Sequence, residues 1–159
     1  INSSNYYKFL KSLPSNIKFF LIYGPDNGLI TTKKIDILKS LLGDNDDYYS
    51  KVIIDFEEIK KNIDNYLQEL YSSSLFGSSL KVIIIENLPA QVPKNFLEVI
   101  EKNTSNNFTI LVASDLPPAS NLRKFFESKK DLAILPCYVE EGKELDNFIL
   151  EFLRKDGFK

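Results

Sequence analysis

The run Lys81-Val82-Ile83-Ile84-Ile85-Glu86 constrains the fold more than any other stretch of this chain. It has no polar face, so a strand built from it must be covered on both sides, as in a parallel sheet sandwiched between helices. A strand with one wet face alternates apolar and polar residues, and this one does not. The rest of the chain has to supply two covering layers and strands to lie beside it.

The pattern along the chain meets that demand. Lys18 to Tyr23 (KFFLIY) is a short apolar run ending at Gly24-Pro25-Asp26-Asn27-Gly28, a cluster of turn formers, which predicts a buried strand and then a loop. Ile30, Ile35, Ile37, Leu38, Leu41 and Leu42 follow near helical spacing, with Gly43 where a C-terminal αL residue belongs. Tyr48 to Asp55 predicts a second strand, after which Ile59, Ile63, Tyr66, Leu67 and Leu70 form one helical stripe. Ser72 to Ser79 is a small-residue loop carrying two large apolar side chains, Leu75 and Phe76. Pro93 opens a helix that runs to about Lys102, with Phe96, Leu97 and Ile100 facing inward. Phe108 to Ser114 is a fourth strand, Ser120 an N-cap for another helix, and Ala133 to Cys137 a fifth strand. Glu144 to Lys155 closes the chain with Leu145, Phe148, Ile149, Phe152 and Leu153 at helical spacing. Such alternation predicts an α/β fold: a three-layer α/β/α domain over residues 1–159 around a five-stranded, mostly parallel sheet.

Composition removes whole classes of chemistry. The chain has no His, which excludes His-based acid/base catalysis and His metal ligands, and its one Cys can form neither an internal disulfide nor a thiolate zinc cage. Asp44, Asp46 and Asp47 lack the spacing of a Ca²⁺ loop and read as a solvated turn, so neither a metal nor a cofactor is expected. A net charge of −2 gives no global attraction to phosphate backbones. No apolar run reaches the roughly 20 residues that cross a bilayer, and the start INSSNYYKFL does not resemble a signal peptide. A cytoplasmic protein is the expectation. Met is absent, the initiator included, so the sequence reads as a trimmed or truncated chain.

A strand, a glycine-bearing turn and a helix make the frame of a phosphate-binding P-loop, which requires G-x-x-x-x-G-K-[ST]. The eight positions here are Gly24-Pro25-Asp26-Asn27-Gly28-Leu29-Ile30-Thr31. Leu29 takes the place of the second glycine and Ile30 that of the lysine, and only Thr31 fits. Without the lysine no point charge faces the phosphates, and a Cβ at position 29 hinders backbone approach. At the end of the third strand, where an ATPase places its Walker B acids, stand Glu86 and Asn87. Glu86 can ligate a metal, but the Asn87 amide cannot act as a general base. Gly24 and Gly28 therefore read as parts of a structural strand-to-helix turn.

Three segments carry a resemblance: Tyr23-Gly24-Pro25-Asp26-Asn27-Gly28-Leu29-Ile30, Ser74-Leu75-Phe76-Gly77 before KVIIIEN, and Ser120-Asn121-Leu122-Arg123-Lys124-Phe125-Phe126-Glu127 before AILPCY. In this order and strand context they resemble the N-terminal domain of the delta subunit of bacterial DNA polymerase III. The resemblance implies an AAA+ fold with a degenerate nucleotide site. It also implies a helical lid and a C-terminal collar to which nothing in this chain corresponds. The implied role is non-catalytic: a clamp-loader component of a DNA-directed DNA polymerase (nucleotidyltransferase) holoenzyme, which binds the sliding clamp (beta subunit) and opens one ring interface during DNA replication. Leu75 and Phe76 match the clamp-contacting pair, with Ser74 and Tyr71 beside them. Read from the residues alone, Leu75 and Phe76 fit equally well as core residues under the sheet, and Tyr71 and Ser74 as packing or loop hydrogen bonds. Partnership with the gamma/tau ATPase and delta-prime subunits is implied mainly through the collar, and DNA is implied to be met only through the complex. Arg123 and Lys124 read as a solvated helix face and Cys137 as a small buried side chain. Two other readings compete: an atypical P-loop NTPase or nucleotide kinase, and a receiver-like domain built on Asp55.

Overall fold

A computed structural model describes residues 16–42, 50–72 and 81–138. The strands are β1 (Phe19–Tyr23), β2 (Ser50–Asp55), β3 (Lys81–Leu88), β4 (Phe108–Ala113) and β5 (Ala133–Pro136). The helices are α1 (Asn27–Leu42), α2 (Phe56–Lys61), α3 (Asp64–Tyr71), α4 (Lys94–Glu101) and α5 (Asn121–Ser128). The expected C-terminal helix, the Gly43 cap, the acidic turn at Asp44, Asp46 and Asp47, and residues Ser74, Leu75 and Phe76 lie outside the described residues.

The sheet has five strands in the order β2-β3-β4-β1-β5. Every pairing is parallel, so the expected mostly parallel sheet is parallel throughout. β1, β3 and β4 lie inside it, where both faces need cover, and these are the apolar runs of the sequence. Alternation divides each strand between two cores. Phe19, Leu21, Ile83, Ile85 and Leu111 join a cluster closed by Phe56 and Ile59 of α2, Tyr66 and Leu70 of α3, Phe96 and Ile100 of α4, and Leu122 and Phe126 of α5. On the opposite face Phe20, Ile22, Val82, Ile84, Ile110 and Leu135 pack with Ile30 and Ile37 of α1. Three layers result, with α1 on one side and α2 to α5 on the other.

Two local departures from the sequence reading have clear causes. The stripe from Ile59 to Leu70 is two helices, not one. Asn62 takes an extended conformation (φ −152°, ψ 106°) and its Oδ1 accepts the Asp64 amide at 3.0 Å. A side chain that bonds the backbone two residues on competes with continuation of the helix. Ile35, one of the apolar residues at helical spacing in α1, is 43% exposed, while Lys33 is buried.

One polar pair sits inside the larger core. The Tyr66 hydroxyl and Thr109 Oγ1 are 2.8 Å apart and buried, and burial drives the Tyr66 phenol well above its ordinary range. Each group satisfies the other, so removing one strands its partner. Thr109→Val keeps the shape but leaves the Tyr66 hydroxyl without this partner. The expected loss is about 1–3 kcal/mol in urea unfolding, and an unchanged midpoint would refute the pairing's role.

Candidate functional site

The carboxyl ends of β1, β3 and β4 hold the sequence-predicted phosphate loop. β1 and β4 are neighbours whose following helices, α1 and α5, pack on opposite faces, which makes the crevice between them a topological switch point. Ligands of open α/β sheets bind at such crevices. The observed strand order also differs from the 2-1-3-4-5 order of receiver domains.

The turn after β1 is too tight for a phosphate cradle. Only residues 24–26 separate Tyr23 from the first residue of α1, Asn27, so the last five positions of the motif are helical. Gly24 sits at φ 144°, and a Cβ there would lie 2.1 Å from the Cys137 carbonyl oxygen, so no other residue fits. Its amide donates to Ser114 O at 3.3 Å, the Asp26 amide to Cys137 O at 3.3 Å, and the Cys137 amide to Tyr23 O at 2.6 Å. These bonds draw β1, the end of β4 and the residue after β5 together.

The helix start is already occupied. Asp26 Oδ1 accepts the Leu29 amide at 3.1 Å, placing the chain's own carboxylate where a helix N-terminus offers amides to an anion. Ile30, at the lysine position, is 6% exposed and part of the core under α1. Leu29 packs against the same core, and the exposed Gly28 has room for a side chain. Thr31, the one matching residue, turns its hydroxyl back to donate to Asn27 O at 3.0 Å. The neighbouring lysines are also engaged: Lys33 Nζ donates to Pro136 O at 2.9 Å, and Lys34 lies 3.8 Å from Glu86.

At the end of β3 the two Walker B positions diverge. Glu86 pairs with Lys34. Asn87 adopts φ 62°, an αL conformation that Asn tolerates better than most residues, where the register with β4 shifts. Its Nδ2 donates to Asp55 Oδ2 at 2.6 Å, and Asp55 Oδ1 accepts the Glu57 amide at 2.9 Å as the N-cap of α2. Both Asp55 oxygens thus serve structure, which leaves the receiver reading without support. These bonds, the Glu57 amide foremost, hold the Asp55 carboxyl below its usual 3.8.

Sequence reasoning missed a group of contacts beside the switch point. Tyr138 donates to Asp115 Oδ1 at 2.8 Å and meets the Tyr23 ring edge-on at 6.1 Å. Tyr138 is 37% exposed, and partial desolvation, then the Asp115 bond, pushes its phenol up to about 12. Arg123 is only 21% exposed at its side chain, which corrects the reading of a solvated face. Its guanidinium lies over the Tyr23 ring at 5.4 Å, donates to Leu116 O at 2.9 Å and faces Glu127 at 3.4 Å. Lys124 is exposed as expected, and Cys137 is buried, with its thiol raised to about 11 by that burial. Nothing in the local sequence marks Tyr138 and Asp115 as partners, because they are 23 residues apart.

Of the proposed protein contacts, Tyr71 alone is described. It is 49% exposed at the end of α3, and its hydroxyl accepts the Thr104 amide at 3.3 Å. Among the described residues no group of three or more Cys, Asp or Glu side chains is placed to hold a metal, and no helix is long and apolar enough to cross a membrane.

Two outcomes follow from this geometry. Gly24→Ala must move the Cys137 backbone or leave φ 144°, and should lower the thermal midpoint by several degrees. The depressed Asp55 carboxyl contributes stability above its unfolded value of 3.8 and loses it as pH falls through its lower folded value. Asp55→Asn should therefore flatten the acid limb of a stability-against-pH curve below about pH 4, and an unchanged limb would count against the assignment.

Comparison with known proteins agrees with the architecture. The profile of the family described as DNA polymerase III, delta subunit, matches residues 20–138. The chain is 27% identical over 139 residues to the probable DNA polymerase III subunit delta of Rickettsia prowazekii (strain Madrid E), covering 87% of this chain and 40% of that protein. The Bacillus subtilis DNA clamp loader delta protein shares the fold at a TM-score of 0.72 and 15% identity, over 97% of this chain and 48% of that one. The chain thus spans less than half the length of either relative. It belongs to the DNA polymerase III delta subunit family.

Proposed function

We propose that this chain is the clamp-binding, non-catalytic AAA+-like unit of a clamp-loader delta subunit, and that it works by contact rather than by nucleotide chemistry. The observation that carries the reading is the pairing of Ile30 and Asp26: the phosphate-lysine position is core, and the helix amides face a carboxylate. A γ-phosphate arriving there meets a negative charge and no cation. Thr31 and Glu86, the two groups able to approach Mg²⁺, are held by Asn27 and Lys34. These features speak against an NTPase or nucleotide kinase.

Without catalysis, the loop between α3 and β3 is the working part. Leu75 and Phe76 are its two large apolar side chains before Leu80, flanked by serines and Gly77. Buried in a hydrophobic pocket on the sliding clamp, each contributes about 1.5–3 kcal/mol, the size of an interface anchor. Ser74 and the exposed Tyr71 lie beside them in the chain and complete the contact. Bound at one ring interface, the unit holds the ring open for loading onto primed DNA. The gamma/tau ATPase and delta-prime subunits are engaged through other parts of the delta subunit, DNA is met only within the complex, and the setting is the cytoplasm.

Surface plasmon resonance on the immobilised cognate clamp tests this directly. Wild-type chain should bind, and Leu75→Ala/Phe76→Ala should weaken binding by about 100-fold or more with an unchanged circular dichroism spectrum. Undiminished binding by the double variant would refute the anchor, and no wild-type binding would refute the partner.

A further inference from the structure

Residues 73–80 join α3 to β3, and one buried polar cluster holds both ends of that span. Asn107, just ahead of β4, is 8% exposed. Its Nδ2 donates to Leu70 O at 2.9 Å and to Ser72 O at 3.0 Å, while its Oδ1 accepts the Lys81 amide at 3.1 Å. One carboxamide therefore bonds the last residue before the span and the first residue after it. Ser105 adds to the grip: its hydroxyl donates to Leu70 O and accepts the Asn107 amide at 3.0 Å.

Lys81 closes the cluster from the other end. Its ammonium donates to Glu69 Oε2 at 2.8 Å and to Ser72 Oγ, although the residue is only 5% exposed and is followed in its strand by four apolar residues, Val82 to Ile85. An ammonium in such a place is costly to desolvate, and an apolar side chain of similar volume would often stabilise as well or better. What the ammonium adds is direction, because it ties the side chain of Ser72 to the start of β3. The Asn107 carboxamide adds the same kind of constraint, since its bonds fix backbone on both sides of the span at once.

We infer that Asn107 and Lys81 are positioning residues for the clamp contact: by holding Ser72 and the start of β3, they fix where residues 73–80 leave and rejoin the body. The inference rests on the clamp-binding reading above. A span with both ends fixed gives up less freedom on binding than one with loose ends, so affinity falls when the cluster is cut even though neither residue touches the partner.

The test uses the whole chain on the immobilised clamp, with wild type, Asn107→Ala, Lys81→Met, Lys81→Arg, Leu75→Ala/Phe76→Ala, and Ile37→Ala as a core truncation on the opposite face. Asn107→Ala and Lys81→Met should each weaken binding about tenfold and speed amide hydrogen exchange within 73–80. Lys81→Arg, which keeps the cation and its donors, should recover most of the affinity. Ile37→Ala, destabilising but remote from the span, should bind like wild type. Wild-type affinity in Asn107→Ala and Lys81→Met, with binding lost in the Leu75/Phe76 double variant, would overturn this inference and leave the clamp reading standing. Equal weakening by Ile37→Ala would overturn it as a general stability effect, and absence of wild-type binding would remove both. Should Asn107→Ala fail to fold, Lys81→Met carries the comparison, because it leaves the carboxamide bonds intact.

Discussion

The close approach of Gly24 to Cys137 is the constraint on which the carboxyl end of the sheet depends. A strand-to-helix turn pressed against the backbone of the residue after β5 has room for neither a side chain at position 24 nor a wide loop. The turn therefore ends after Asp26, and α1 begins at once. From there Ile30 falls into the core, and Lys33 reaches back to Pro136 at the end of β5. Each step follows from the one before, because a helix fixes which residue faces the sheet once its first residue is set.

That turn gives the crevice a structural use. Asp26 caps α1, Lys34 pairs with Glu86, Asn87 with Asp55, and Tyr138 with Asp115. Groups that would serve a phosphate, a metal or a water elsewhere are here bonded to one another. Such satisfaction rigidifies the groups it joins. At the other end of the sheet the carboxamide of Asn107 and the ammonium of Lys81 brace the two sides of the α3-to-β3 connection. One end of the sheet is thus closed by bonds among its own groups, and the other is braced across the ends of residues 73–80.

Much of the architecture was legible because burial writes itself into hydrophobic pattern. The apolar run at β3 required cover on both faces, and the alternation of strand and helix supplied it. That Ile30 stands at the lysine position of the P-loop pattern and Asn87 at an acid position was equally plain, since a motif is read position by position. The break at Asn62 was hidden because Ile59, Ile63, Tyr66 and Leu70 keep one apolar stripe across both helices, and only the extended Asn62, bonded to the Asp64 amide, interrupts it. Arg123 read as part of a solvated helix face after the Ser120 cap, whereas its packing against Tyr23 comes from a strand 100 residues earlier in the chain. The Tyr138–Asp115 and Asn107–Lys81 bonds left no trace in periodicity, because pattern reports which face is buried and not which polar groups meet there.

The central claim is that the strand-to-helix turn is built as core and not as a nucleotide site, and calorimetric titration of Mg²⁺-ATP into the folded chain tests it most directly. The account predicts no saturable heat up to about 1 mM nucleotide, the upper end of the usual working range of enzymes for their substrates. A saturating isotherm with a Kd of about 10 μM or tighter would mean that Asp26 and Ile30 yield to a phosphate after all, and would contradict it.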